Sequence, residues 1–307
     1  MLEWLGWMSI GMILPLIFFQ YPLPDWTKVF QKTAISQRGD DIARRANLSE
    51  ETWRDSVYRR RQWLNESTDT VRVLFPTKEK NDGEPYIVWD FFPPAYNCPW
   101  DVQRVGHLGD GGKWICGMSK YESVKSRPLI IYSFGVANES SFEAEMLART
   151  NAEVFAFDFS TDGFGPEVGP THDRAYFEKI GVRGENSHEN GTAFQSLKRI
   201  MQRHHHTYID IVKMDIEGDE FPTLSAFMDE YTGQNFPIGQ LLIEIHFFDT
   251  NSTVREFAEW WDRFEEFGMR AVWCEANLIT VTWDTGYPCC AEYVWINTND
   301  TNSLLWA

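Results

Sequence analysis

At 307 residues, 43% of them hydrophobic and 15% aromatic, the chain can bury one large core plus an accessory region, which excludes a disordered or fibrous class for its bulk. A formal net charge of −17 at pH 7 argues against nucleic acid as a partner, because affinity for a phosphate backbone is built from lysines and arginines. No basic block is present that would seat the chain on an anionic membrane surface.

The first element is an uncharged stretch from Trp4 to Phe19, WLGWMSIGMILPLIFF, followed by the polar, proline-containing YPLPDW. It reads as a signal-anchor or signal-peptide core over residues 1–24. Its 16 residues fall short of the roughly 20 that a spanning helix needs. Glu3 precedes it and Lys28 and Lys32 follow, an order the positive-inside rule counts against a lumenal C-terminus. A docked N-terminal helix is the plainer alternative. Asn47, Asn65, Asn138, Asn190, Asn251 and Asn299 each open an Asn-x-Ser/Thr triplet, where average composition gives roughly two in such a length. The five cysteines, Cys98, Cys116, Cys274, Cys289 and Cys290, permit two disulfides and one thiol, and none has C-x-x-C spacing. These features together predict a secretory-pathway protein, single-pass in the endoplasmic reticulum or Golgi membrane or else secreted, that touches the membrane through its N-terminal segment only.

Residues 25–94 read as a stem or cap. Within them ETWRDSVYRRRQWLNES predicts a helix, with Trp53, Val57, Arg60 or Arg61 and Leu64 at helical spacing; a solvated spacer is the bland alternative. Residues 95–307 form the main domain, and from Pro128 strands and helices alternate. PLIIYSFGV predicts a strand ending at Gly135, and ESSFEAEMLART the helix after it. EVFAFDF is a second strand ending at Asp158, KIGV a short third, GTAFQSLKRIMQRH a helix, and TYIDIVKMDIEG a fourth strand running to Asp215 and Glu217. EFPTLSAFMDEY is helical, GQLLIEIHFF a fifth strand carrying Glu244 and His246, VREFAEWWDRFEEFG an amphipathic helix, and MRAVWCEAN and AEYVWIN two closing strands. Such alternation predicts a doubly wound sheet that binds ligands outside the carboxyl ends of its strands. Gly135, Asp158, Asp215, Glu217, Glu244 and His246 all fall on that rim.

Each residue has a task there and a duller alternative. Gly135 lets a backbone approach a ligand, and Asp158 can accept ribose hydroxyls or serve merely as a turn residue. His246 is the first candidate for a general base, or a buried histidine bonded to a loop. Asp215, Glu217 and Glu244 can orient an acceptor or, with His246, supply oxygen and imidazole ligands to a divalent cation; Glu217 can equally cap the next helix. In GDGGKW, expected as a loop over the pocket, Lys113 can pair with a carboxylate of cofactor or substrate while Asp110 orients it. His204, His205 and His206 read as a solvated helix end, and Trp260 and Trp261 as helix packing. No metal is assigned. The chain lacks G-x-G-x-x-G, which lowers the case for a dehydrogenase.

The blocks CPWDVQRVGHLGDGGKWICG, IIYSFGVANESSFEAEM, VFAFDFS, IDIVKMDIEGDEF, LLIEIHF and AEYVWIN, in this order, resemble the Rossmann-like methyltransferase domain of many fungal proteins and of animal methyltransferase-like protein 24, distant relatives of the FkbM methyltransferases. The resemblance covers roughly residues 98 to 297; Pro222, early in a helix, departs from the pattern. It implies a Rossmann-like class I methyltransferase sandwich, a mostly parallel seven-stranded sheet with an antiparallel C-terminal strand. It also implies S-adenosylmethionine as cofactor, with Gly135, Ala137 and Asn138 at its methionine end, Glu143 beside it in the first helix and Asp158 at the ribose. Asn138 is then both a glycosylation acceptor and a pocket residue, roles that exclude each other. O-methylation of a glycan or small molecule is the expected reaction. A type II secretory glycosyltransferase using a nucleotide sugar and a metal, and a non-catalytic binding module of the same fold, are the alternatives.

Overall fold

The computed structural model describes residues 42–66, 87–109, 111–169, 172–247, 253–283 and 288–306. The N-terminal apolar segment, Asp110 and Asn251 lie outside these residues. Residues Ile42 to Ala307 form one compact unit.

A seven-stranded sheet organises it. In chain order its strands are β3 (Ile130–Phe134), β4 (Glu153–Phe157), β5 (Ala175–Glu178), β9 (Ile209–Met214), β10 (Ile238–His246), β11 (Met269–Ala276) and β12 (Cys290–Asn297). They lie in the order β11-β12-β10-β9-β3-β4-β5. β12 is antiparallel to both its neighbours, and the remaining pairs are parallel. From β3 the chain moves outward through β4 to β5 and then returns to the other side of β3 with β9, so the topological switch lies between β3 and β9.

The largely apolar sequence of β9 and β10 follows from burial on both faces, since every residue of both strands is buried, including the polar Asp210, Lys213, Gln240, Glu244 and His246. Successive side chains alternate between two cores, as a pleated strand requires. Tyr132, Val212 and Leu241 enter one core with Trp261, Phe264 and Trp295. Ile131, Ile211 and Leu242 enter the other with Phe142 and Met146 of helix α3 (Ser141–Arg149).

Elements beside the sheet complete the unit. Helix α1 (Ile42–Glu66), in the region read as stem or cap, docks on α6 (Val254–Glu266): Trp53 Nε1 donates to Glu265 (2.8 Å), and buried Arg60 donates to Asp262 (2.7 Å) and Glu265 (2.8 Å). The β1 (Val102–Val105) and β2 (Lys113–Cys116) hairpin is followed by α2 (Met118–Ser123), and Cys98 is joined to Cys116. Cys289 is joined to Cys290, which leaves Cys274 as the free thiol.

Three local readings change. The third sheet strand is Ala175–Glu178 rather than KIGV, whose Gly181 and Val182 form β6. β6 pairs in a separate small sheet with β8 (Thr192–Gln195), and β8 with β7 (Ser187–Glu189). Thr192–Gln195 is therefore strand, not the start of a helix. Helix α4 (Leu197–Arg203) begins where the Ser196 hydroxyl accepts the Arg199 N–H (3.3 Å). Its end is less solvated than expected: His206 hydrogen-bonds the Tyr132 hydroxyl (2.9 Å), and His204 packs on Phe155.

Candidate active site

A cavity of about 380 Å³ opens at the switch point, walled by Gly135, Ala137, Phe157, Asp158, Phe159, Ser160, Gly181, Val182, Asp215, Ile216, Glu217 and Asp219. Phe157 ends β4, Gly181 and Val182 form β6, and the other residues follow β3, β4 and β9. Gly135 is required by space and by conformation: its φ is +72°, and a Cβ there would collide with the Asp215 carbonyl oxygen. Two non-glycine wall residues, Ala137 (φ +49°) and Glu217 (φ +56°), also take the left-handed conformation, a cost that folded chains concentrate at functional sites.

Asp158 holds the loop after β3. Its Oδ2 accepts the N–H groups of Val136 (2.9 Å) and Ala137 (2.8 Å), and its Oδ1 accepts Ser160 N (2.6 Å) and Oγ (2.7 Å). Burial raises its carboxyl pKa, but the bonds from Ser160, Ala137 and Val136 outweigh burial and hold it below the usual aspartate value.

Behind the acidic end of the wall lies a buried charge cluster. Lys113 of β2, almost wholly buried, donates to Asp215 (2.9 Å) and Glu292, with Glu244 Oε2 at 3.7 Å. Burial opposes its charge, yet Glu292, Asp215 and Glu244 raise its pKa above the ordinary lysine value. Carboxylate oxygens of Asp215, Glu244 and Glu292 lie within 4.8 Å of one another, the spacing of a cation site, and the ammonium stands among them. Burial raises Asp215 too, but Lys113, Lys213 and His246 bring it below the usual value. Burial and Asp215 push Glu244 up.

His246 has a different character from a free base. Its Nδ1 hydrogen-bonds fully buried Glu220 (2.9 Å) of helix α5 (Glu220–Glu230), while Nε2 faces Asp215 (3.8 Å), Glu217 (3.8 Å) and Glu244 (3.9 Å). Burial lowers its pKa, but Glu220 and the other carboxylates raise it to about 9, so the ring is an imidazolium at neutral pH.

The structure thus brings Gly135, Ala137, Asp158, Asp215 and Glu217 onto one cavity and Lys113, Glu244 and His246 together behind it. Two expected residues lie elsewhere. Asn138 is exposed and off the cavity wall. Glu143 is fully buried behind the loop, accepting from the Ser133 hydroxyl with Lys213 Nζ at 3.4 Å. Within GDGGKW, Lys113 and Trp114 open β2 rather than form a loop, and Lys113 pairs with the protein's own carboxylates. Sequence reasoning missed Phe157, Phe159, Ser160, Gly181, Val182, Ile216 and Asp219 on the wall and Glu220 and Glu292 behind it. A lone acid inside the apolar strand AEYVWIN was the available signal for Glu292.

A doubly wound sheet with a charged, nucleoside-sized cavity at its switch point defines a Rossmann-like α/β enzyme. The chain belongs to a family described as a methyltransferase domain, whose model matches residues 46–287, and is therefore a methyltransferase. The matched region begins inside α1. No curated protein matches the chain. Similar solved structures include a Methanococcus jannaschii fibrillarin pre-rRNA processing protein (11% identity, 75% of this chain and 98% of that one, TM-score 0.35). Another is the Burkholderia thailandensis 1,6-didemethyltoxoflavin-N1-methyltransferase with bound 1,6-didemethyltoxoflavin and S-adenosylhomocysteine (13% identity, 59% and 76%, TM-score 0.33).

Proposed function

We propose that the chain is an S-adenosylmethionine-dependent methyltransferase that acts on a hydroxyl of a glycan or small-molecule acceptor in the secretory pathway. The observation that carries this reading is the polarity of the cavity: apolar at Phe159 and Val182, acidic at Asp215, Glu217 and Asp219. Its volume of about 380 Å³ lies within the range of small-molecule sites, and the two ends suit an aromatic base and a positive charge. When bound, S-adenosylmethionine supplies a methyl group already activated on a positively charged sulfur. Phe159 and Val182 would hold the base, the Ser160 hydroxyl, which gives its proton to Asp158, would accept from the ribose, and Gly135 and Ala137 would line the amino-acid end.

The chain's own groups then position the acceptor and handle its proton. Asp215, on the wall, accepts a hydrogen bond from the acceptor hydroxyl. The His246 imidazolium steadies Asp215 instead of serving as the base. Glu244 and Glu292, whose proton affinity is raised, lie next to Asp215 around Lys113 and give the proton somewhere to go.

Location rests on separate features. Of the six sequon asparagines, the five described, Asn47, Asn65, Asn138, Asn190 and Asn299, are all exposed. No described helix is long and apolar enough to cross a membrane; the proposed attachment is the uncharged stretch Trp4 to Phe19. Calorimetric titration of the full-length protein tests the activity: S-adenosylhomocysteine should bind with Kd on the order of micromolar. Binding of a nucleotide sugar only with manganese, and no S-adenosylhomocysteine binding, would overturn the reading. Peptide mapping of native material tests the compartment, which fails if all six sequon asparagines are bare.

A further inference from the structure

Glu292 sits where neighbouring carboxylates oppose its charge. It lies directly opposite Glu244 of β10 on one side of β12 and Glu275 of β11 on the other, so three glutamates form one row across adjacent strands. Like charges in directly opposed positions are unfavourable, more so out of water. Of the cations facing the row, Arg104 of β1 is taken by Glu275 (2.5 Å), which also accepts Trp114 Nε1 (2.7 Å). His246 of β10 is engaged by Glu220. The Cys274 thiol of β11 contributes no positive charge. Lys113 of β2 is the cation that bonds Glu292, and it is shared with Asp215 and Glu244, which His246 Nε2 also faces at 3.8 and 3.9 Å and, at Asp215, Lys213 of β9 supports. Asp215 is also a wall of the cofactor cavity, so the cluster reaches the cavity through that one side chain.

We infer that this cluster exchanges a proton for the cofactor's positive charge: Glu292 holds a proton while no cation occupies the cavity and releases it to solvent when a sulfonium binds. The inference rests on the cofactor reading above. Carboxylates that share a site retain a proton between them, and a positive charge brought near lowers their affinity for it. Burial, Glu244 and Asp215 push Glu292 up to about 7 against the pull of Lys113, which places the exchange near neutral pH. When the charge leaves the cofactor, the cluster takes a proton back.

S-adenosylmethionine and S-adenosylhomocysteine differ by the methyl group and its sulfonium charge, so they isolate the effect. Each is titrated into the full-length protein at pH 7 in buffers of different ionisation enthalpy, and the protons released are counted. The sulfonium compound should release roughly half a proton more per site, as expected of a group titrating near about 7. Glu292→Gln should abolish the difference while S-adenosylhomocysteine still binds, and Glu244→Gln, which removes another of the three carboxylates, should do the same if the first variant fails to fold. Equal proton counts for the two compounds, or a difference undiminished in both variants, overturns the inference and leaves the cofactor reading intact. Failure of both compounds to bind overturns the cofactor reading itself, and the inference falls with it.

Discussion

Replacing Lys113 with methionine keeps the side chain's reach and removes the one ammonium that Asp215, Glu244 and Glu292 share. Breaking a buried ion cluster from one side leaves its partners uncompensated, and Lys113→Met should cost about 3 kcal/mol in urea unfolding at neutral pH. The loss should shrink in acid, where the carboxylates take up protons. Glu292→Gln on that background should recover part of it, because one unbalanced charge is gone; additive effects of the two changes would contradict the cluster.

The pH dependence has a definite sign. The folded-state pKa of Glu292 lies above its ordinary value of 4.5, so its contribution to stability is fully present below that value and is lost as pH rises through about 7. His246 adds a loss of the same sign between 6.5 and about 9. Unfolding free energy measured at about pH 5 and about pH 7 should fall less in Glu292→Gln than in the wild type. At this scale the sequence displayed the acids of the rim but not their state. His246 reads as a neutral base until Glu220, four residues after Ile216 and on a different element, is seen to hold it protonated.

Among the elements, α1 gives the clearest separation of stability from function. Arg60 is buried between Asp262 and Glu265 of α6, and its guanidinium also lies over Phe92 (5.1 Å). Arg60→Ala should therefore lower stability by about 3 kcal/mol with S-adenosylhomocysteine affinity unchanged; a parallel loss of affinity would tie α1 to the cavity. The helix itself was legible, since Trp53, Val57 and Arg60 fall on one helical stripe. The segment before α4 was not, because Thr192–Gln195 runs without a break into the helical pattern of Leu197, Ile200 and Met201. Ser196 marked the boundary, as a hydroxyl that caps the helix it precedes. Gly181 and Val182 misled in the opposite way: their apolar character suited a sheet strand, but they turn away to wall the cavity.

For the whole molecule, apolar runs separated by amphipathic helices made the α/β class legible, because strands covered on both faces read as largely apolar runs. Which strands become neighbours is decided by long-range packing. The row Glu244, Glu292 and Glu275 exists only after β12 inserts between β10 and β11, and no periodicity within any one strand announces it. The same insertion brings the hairpin carrying Lys113 into contact with acids more than a hundred residues away in the chain.

The most direct measurement is a crystal structure of the full-length protein with S-adenosylhomocysteine. The ligand should lie in the cavity at the β3–β9 switch point, its adenine against Phe159 and Val182 and its sulfur toward Asp215. Ligand density at another place, such as the polar hollow lined by Asn235, Asn297 and Asp300, with the switch-point cavity empty, would contradict the account.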